Sequence, residues 1–329
     1  MSSTIRETPS DTRLPLISIS IPVLNEIGNI DRLYQRLDAL SKALSHRCRM
    51  EFVISDNQSS DGTWERIGEI AAGDPRVRAI RFSKNVGFQR SIMANYLHTR
   101  GDAVMQVDAD LQDPPELLDA FLDLWDSGYD VVYGVRRGRK EAAWVSLFRR
   151  CGYWFINRMA EYPIPPNVGD FRLIDRKVIN ALAKLRSANP YLRGMIAGLG
   201  FKQTGIVYDR EARVAGESKF GFSRLMRLGF IALINHSTVP LRIAFALGLS
   251  MICLSLLGVV YYIFLWLLVP DLPRGLASIH ILVLFGIGFQ SLLFGILGEY
   301  ILQIYTILRG EPIAIVANSV NIDEAELKL

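Results

Sequence analysis

Two kinds of apolar pattern divide this chain. From Leu16 to about residue 220, short runs rich in β-branched residues alternate with longer stretches whose apolar positions recur every three or four residues, as in strands and amphipathic helices. The runs Leu16–Pro22, Glu51–Ser55, Arg78–Phe82, Ala103–Val107 and Val131–Val135 predict strands. Asn29–Ser45, Thr63–Ala72, Phe88–Thr99 and Pro115–Ser127 predict the helices between them. Such alternation builds an α/β layer on a mainly parallel sheet. Ligands of these sheets bind beyond the carboxyl ends of the strands, so the residues following each run are the first candidates for a site.

Nearer the C-terminus the pattern changes to continuous apolar runs. Ile243 to Val269 carries no charge, and about 27 helical residues at ~1.5 Å each reach roughly 40 Å, enough to cross a membrane with some tilt. The second run, Ala277–Leu308, carries one charge, Glu299, expected near the cytoplasmic end or against another helix. Pro270 to Gly275 is a turn-rich connector, so the pair reads as a transmembrane hairpin. Between domain and hairpin, Phe220 to His236 mixes Phe, Leu and Met with Arg224 and Arg227, the composition of an interfacial helix. The expected organisation is a flexible tail over 1–14, an α/β domain over 15–220, an interfacial helix over 221–238, transmembrane helices over 239–269 and 278–308, and a tail over 309–329. Arg224, Arg227 and Arg242 precede the first span and Arg309 follows the second, which puts both termini in the cytoplasm. The polar stretch 1–13 lacks the apolar core of a secretory signal, in keeping with that orientation.

Composition narrows the chemistry. The chain is 50% hydrophobic, with a mean hydropathy of +0.20, high for a wholly soluble protein. A net charge of +4 without a long basic run argues against nucleic acid as a partner. Cys48, Cys151 and Cys253 are scattered, which fits a reducing compartment and offers no disulfide or zinc framework; the four histidines are isolated. Neither a dinucleotide-type glycine fingerprint nor a Walker phosphate loop occurs. The chemistry-bearing stretch is Asp108-Ala109-Asp110-Leu111-Gln112, two carboxylates and an amide at the end of a predicted strand. Hard oxygen ligands in this number suit Mg²⁺ or Mn²⁺ shared with a substrate diphosphate.

Six ordered motifs then carry a resemblance: Ile21-Pro22-Val23-Leu24-Asn25-Glu26, Asp56 to Thr63, Lys84-Asn85-Val86-Gly87-Phe88, Asp108 to Glu116, Gly169-Asp170-Phe171-Arg172-Leu173, and Gly216-Glu217-Ser218-Lys219-Phe220. With two spans after them, the chain resembles the polyprenyl-phosphate glycosyltransferases of glycosyltransferase family 2, which have a GT-A fold. Ser55-Asp56-Asn57 departs from the Asp-Asp-Gly of many relatives and leaves one nucleotide-facing carboxylate in place of two.

The resemblance implies an inverting, metal-dependent transfer of a sugar from a nucleotide sugar, UDP-glucose being the leading choice, to undecaprenyl phosphate at a bacterial inner membrane. It assigns Pro22, Glu26, Asp56 and Asp108 to the donor, and Asp108, Asp110 and Gln112 to the metal. Asp110, Asp170, Ser218 and Lys219 are the candidate catalytic residues, Asp170 either as a base or as the partner of Arg172. Arg136, Arg139, Arg172, Arg210, Arg213, Ser218 and Lys219 are candidates for the acceptor phosphate. Related proteins also assemble as homo-oligomers through their membrane helices. Asp61, followed by Gly62-Thr63, reads as turn and helix-start chemistry only. Two other readings stand beside this one. A haloacid-dehalogenase-like phosphatase would use Asp108 as nucleophile and Asp110 as acid, but lacks the expected Thr after them. An inactive GT-A-like membrane scaffold would not need Asp110, Gln112, Ser218 and Lys219.

Overall fold

A computed structural model describes residues 13–137, 168–185, 187, 190–209, 239–268, 275–323 and 326. They belong to two compact units. The first is built on one eight-stranded sheet. Its first half follows the predicted alternation: β1 (Leu16–Val23), α1 (Ile27–Ala43), β2 (Arg49–Asp56), α2 (Thr63–Gly73), β3 (Val77–Phe82), α3 (Phe88–Leu97), β4 (Ala103–Gln106), a short 3-10 turn at Pro115–Leu117, α4 (Leu118–Asp126) and β5 (Val131–Arg136). Then come β6 (Val168–Asp175), α5 (Arg176–Leu182), α6 (Leu192–Gly198), β7 (Gln203–Tyr208) and, near the C-terminus, β8 (Val316–Val320).

Alternating side chains explain why the strands lie between two helical layers. Ile17, Ile19 and Ile21 of β1 face Leu33, Leu37, Ile67 and Phe121 in one core, each burial contributing about 1.5–3 kcal/mol. Val104, Val131 and Ile174 point the other way, onto Ile92, Tyr96, Ile179 and Ile196. The intervening Ser20 hydroxyl donates to Gln106 Oε1 at 2.8 Å and accepts from Asn95 Nδ2 at 2.9 Å, so the polar positions of the strand are satisfied where they are buried.

The sheet order is β7-β5-β6-β4-β1-β2-β3-β8. It is mixed, more so than the alternation predicted. β1 is parallel to β2 and β4, β2 to β3, and β5 to β7, whereas β6 runs antiparallel to both β4 and β5. The reversal at β6 matters for function, because it brings the start of that strand to the edge where the parallel strands end.

The C-terminal stretch, expected as a tail, supplies β8 antiparallel to β3. Arg78, 2% exposed, fixes it from within the sheet, donating to Glu51 Oε2 at 3.0 Å, the Asn321 carbonyl at 3.3 Å and the Glu326 carboxylate. Asn321 in turn donates to the carbonyls of Ala71 and Val77 at 2.9 and 2.8 Å. Unit 1 therefore contains chain from both sides of the two long helices.

The second unit holds α7 (Val239–Leu268) and α8 (Leu276–Leu308), which contact each other. Their apolar side chains point outward: Phe245 is 74% and Leu282 72% exposed. Among the described residues, Phe285–Leu308 is the stretch long and apolar enough to cross a membrane by length and composition. The expected interfacial helix over 221–238 lies outside the described residues.

Candidate active site

Strand directions gather the predicted residues at one edge. β1, β2 and β4 end there, at Val23, Asp56 and Gln106, as do β5 and β7, whose last residues Arg136 and Tyr208 are register partners. β6 begins there. Gln106 pairs with Arg172, and continuing that antiparallel register by two positions sets Asp170 opposite Asp108. Among the described residues, three of the four non-glycine residues with positive φ also lie in these loops: Asn25 at 56°, Gln58 at 63° and Leu111 at 58°, against Asn321 elsewhere. Such conformations cost on the order of 1 kcal/mol or more and persist where surrounding structure enforces them, often at functional loops.

The loops after β1 and β2 are stitched together. Asn25 N–H donates to Ser59 Oγ at 2.9 Å, Glu26 N–H to Thr63 Oγ1 at 3.0 Å, and Ser60 N–H to Asn25 Oδ1 at 2.9 Å. Asp61 accepts from Ile27 N–H and Thr63 N–H, at 3.2 and 3.0 Å, at the starts of α1 and α2. Burial raises its carboxyl, but the Thr63 and Ile27 hydrogen bonds outweigh this and leave it below the ordinary range. That is the helix-start role expected of it. The Glu26 carboxylate accepts from Asn29 Nδ2 at 2.7 Å and is half-buried. Pro22 is buried within β1.

Asp56 is wholly buried and accepts from Ser59 N–H at 3.0 Å, while Arg81 Nε lies 3.2 Å from its other oxygen. Burial pushes its pKa up against the opposing Ser59 bonds and Arg81 charge. Arg81 also donates to the Ser59 carbonyl at 2.8 Å and stands 5.9 Å over the Trp64 ring. Nothing in the sequence reading pointed to Arg81. Its position one residue before the end of β3 is the only local signal.

The stretch after β4 is the most acidic. Asp108 Oδ1 is sealed from solvent and has no hydrogen-bond partner among the described residues, although the residue as a whole is half-buried. Burial first, then the neighbouring Asp113, Asp170 and Asp110, push its pKa to about 7. Asp110 Oδ1 accepts from the Gln112 backbone N–H at 3.2 Å, a tight turn within the acidic loop. Asp113 is wholly buried and receives Tyr208 and Arg136.

Asp170 is 5% exposed and held as a fork: Arg193 Nε and Nη2 donate to its two oxygens at 3.0 and 2.9 Å, and Gln89 Nε2 adds a third bond at 3.2 Å. Burial alone would raise its carboxyl, but Arg193, Arg172 and Gln89 together hold it below the ordinary range. Arg193 and Gln89 carried no signal in the sequence, because α6 and α3 bring them to Asp170 only through tertiary folding. Arg172, a candidate for the acceptor phosphate, is 3% exposed, donates to the Gly169 carbonyl at 2.7 Å and lies 3.7 Å from Asp170, contacts that brace the strand. Arg136 keeps 29% of its side chain exposed. Arg139, Arg210, Arg213, Ser218 and Lys219 lie outside the described residues.

An acidic loop after a central strand of a mixed α/β sheet suits a metal-bound diphosphate, and the class of enzyme follows from sequence relatives. The model of the family "Glycosyl transferase family 2" matches residues 18–183. A Synechocystis protein named only as a glycosyltransferase is 36% identical over 307 residues, 92% of this chain and 95% of that one. The prophage-derived bactoprenol glucosyl transferase of Shigella flexneri is 32% identical over 306 residues, 92% of this chain and 98% of that one. Among solved structures, glucosyl-3-phosphoglycerate synthase of Mycobacterium tuberculosis, in complex with Mn²⁺, UDP and glucosyl-3-phosphoglycerate, is 18% identical with a TM-score of 0.42, over 67% of this chain and 78% of that one. This chain belongs to glycosyltransferase family 2 and is a glycosyltransferase.

Proposed function

We propose that the chain transfers glucose from UDP-glucose to undecaprenyl phosphate, with inversion at the anomeric carbon. The observation that carries the reading is the orphaned Asp108 Oδ1 beside Asp110 and Gln112 at the converging strand ends. An unpartnered buried carboxylate oxygen among other carboxylates is a costly arrangement that a cation relieves. Asp108, Asp110 and Gln112 fit Mg²⁺ or Mn²⁺ by donor chemistry. Bound there, the ion supplies charge neutralisation for the departing nucleoside diphosphate.

The remaining roles belong to the protein's own groups. Glu26 and Asp56, on two stitched loops, grip the nucleoside, and Arg81 favours the charged form of Asp56 and holds it in place. Arg136, with Arg139, Arg210, Arg213, Ser218 and Lys219, receives the acceptor phosphate. That phosphate is already an anionic oxygen nucleophile, so in-line positioning replaces strong base catalysis. Asp170, chelated by Arg193, acts as a positioning group. Glucose and a bactoprenol acceptor are supported by the name of the Shigella relative.

A lipid substrate requires a membrane site. α7 and α8 are proposed to cross the bilayer as a hairpin, with both termini and the catalytic unit in the cytoplasm and an interfacial helix over 221–238. The return of β8 to the sheet supports this, since chain before and after the helices enters one folded unit and an even number of crossings satisfies that. The outward apolar side chains of both helices would face lipid or a second copy. The test is a donor screen on the purified full chain with Mg²⁺ or Mn²⁺ and a short polyprenyl phosphate. UDP-glucose should give lipid-linked sugar that EDTA abolishes; activity unchanged by EDTA would remove the metal from the account.

A further inference from the structure

The acidic loop and the last residue of β7 are tied together by the side chains of Asp113, Tyr208 and Arg136. Asp113, wholly buried, accepts from the Tyr208 hydroxyl at 2.5 Å through one oxygen and from Arg136 Nη2 at 3.0 Å through the other. Arg136 Nε also donates to the Tyr208 oxygen at 3.3 Å, closing the triangle. Two edges of the guanidinium are thereby committed. Its Nη1 has no partner among the described residues, and 29% of the side chain remains exposed.

The triangle is itself seated firmly. The Tyr208 ring lies 5.4 Å from that of Phe171, and a Cβ on Gly134 would come within 2.6 Å of it, so this glycine makes room for the ring. A Cβ on Gly169 would fall 2.8 Å from Arg136 Nη2 and 3.0 Å from Cζ, so the guanidinium rests against bare backbone. Burial pulls the Arg136 pKa down, but Asp113 and Tyr208 more than restore it, and Asp113 with burial holds the Tyr208 proton on. A guanidinium with its rotamers already fixed loses less entropy when it captures an anionic oxygen.

We propose that Asp113 and Tyr208 are positioning residues which hold Arg136 so that its open edge receives the phosphate of the lipid acceptor. The inference rests on the acceptor reading above and adds the residues that make the phosphate grip rigid. It also gives the acidic loop a direct mechanical link to the acceptor side, since Asp113 lies in the same loop as Asp108, Asp110 and Gln112.

The experiment uses the full chain in detergent, saturating UDP-glucose and titrated undecaprenyl phosphate. Tyr208→Phe keeps the ring and deletes only the hydroxyl; it should raise the acceptor KM roughly tenfold, as expected for a lost hydrogen bond to charged groups, and leave calorimetric UDP-glucose affinity unchanged. Gly169→Ala is the second probe. Its new methyl meets the far end of a flexible side chain, so it should displace Arg136 and reproduce the KM effect with an unchanged melting temperature. Arg136→Lys should be more severe, and the double variant Tyr208→Phe/Arg136→Lys no worse than Arg136→Lys alone, because both changes act through one group. Additive losses, an unchanged acceptor KM in Tyr208→Phe, or a loss of donor affinity would overturn the proposal. So would a Tyr208→Phe chain without a melting transition, which would assign the cluster to folding. If the wild-type chain itself makes no lipid-linked sugar, the acceptor reading fails first; turnover by the wild type with neutral Tyr208→Phe and Gly169→Ala sinks only the positioning role.

Discussion

Asp108→Asn should stabilise the metal-free protein while disabling it. The carboxyl of Asp108 is raised from its ordinary 3.8 to about 7 by burial and by Asp113, Asp170 and Asp110. The folded chain thus keeps this proton at pH values where the unfolded chain has released it. Stability falls as pH rises from 3.8 through about 7 and stays at its lower level above that. At ~1.4 kcal/mol per pH unit the ionised group costs on the order of 4 kcal/mol, and about half that once solvent reaching this half-buried residue is allowed for. An asparagine carries no charge to desolvate. Without metal at pH 8, Asp108→Asn should therefore raise the melting temperature by roughly 4–8 °C, at about 2–4 °C per kcal/mol for a domain of this size. Near pH 4, where the wild-type group is also neutral, the gain should vanish. The assay is a thermal melt of the full chain in detergent with EDTA at the two pH values, followed by a titration with Mn²⁺ at pH 8, which should stabilise the wild type and not the variant. An asparagine variant that is destabilised equally at both pH values would refute the reasoning, because Asp108 would then be making a structural bond its environment does not show.

The other expectations are more direct. Asp110→Asn and Gln112→Ala should each lower metal-dependent turnover about a hundredfold or more, the scale of losing one charge-stabilising group, with melting temperatures near wild type; comparable loss in folding would return them to turn residues. Glu26→Gln and Asp56→Asn should raise the donor KM several-fold with kcat largely kept, since they grip a part of the donor that does not react; an unchanged donor KM in either variant removes that residue from the site. Lys219→Ala should cripple transfer while leaving calorimetric UDP-glucose affinity intact, and the reverse pattern would assign its loop to the donor. Arg78→Ala should cost about 3–5 kcal/mol, because Glu51 is left as an uncompensated buried charge and the seat of β8 is lost; a melting temperature within about 2 °C of wild type would show that β8 does not depend on it.

The strands and helices up to Val135 were legible because each buries one or both faces, and period two or 3.6 is then imprinted on the sequence. β6 was not. Its Asp170, Arg172 and Asp175 interrupt any apolar strand pattern, yet all three are under 10% exposed, satisfied by Arg193, the Gly169 carbonyl and Trp125 Nε1, partners that only tertiary folding supplies. β8 is short and polar at Asn318 and Ser319, and its partner strand lies far away in sequence, so no local pattern announced it. The acidic loop was visible from spacing alone, and so was the helix-start role of Asp61. Residues that act on other residues were invisible: Arg81 behind Asp56, Arg193 behind Asp170, Asp113 and Tyr208 around Arg136. Each is an ordinary surface-type residue until the strand ends converge.

The central claim is transfer of the sugar itself to the lipid phosphate, with inversion. Incubating the full chain with ¹³C-labelled UDP-glucose, Mg²⁺ and undecaprenyl phosphate, then taking the mass and the anomeric NMR coupling of the extracted lipid, tests it most directly. The account predicts one added hexosyl residue on the phosphate, β-configured from the α-linked donor. Labelled free glucose with no lipid product, or an α-configured glycolipid, would contradict it.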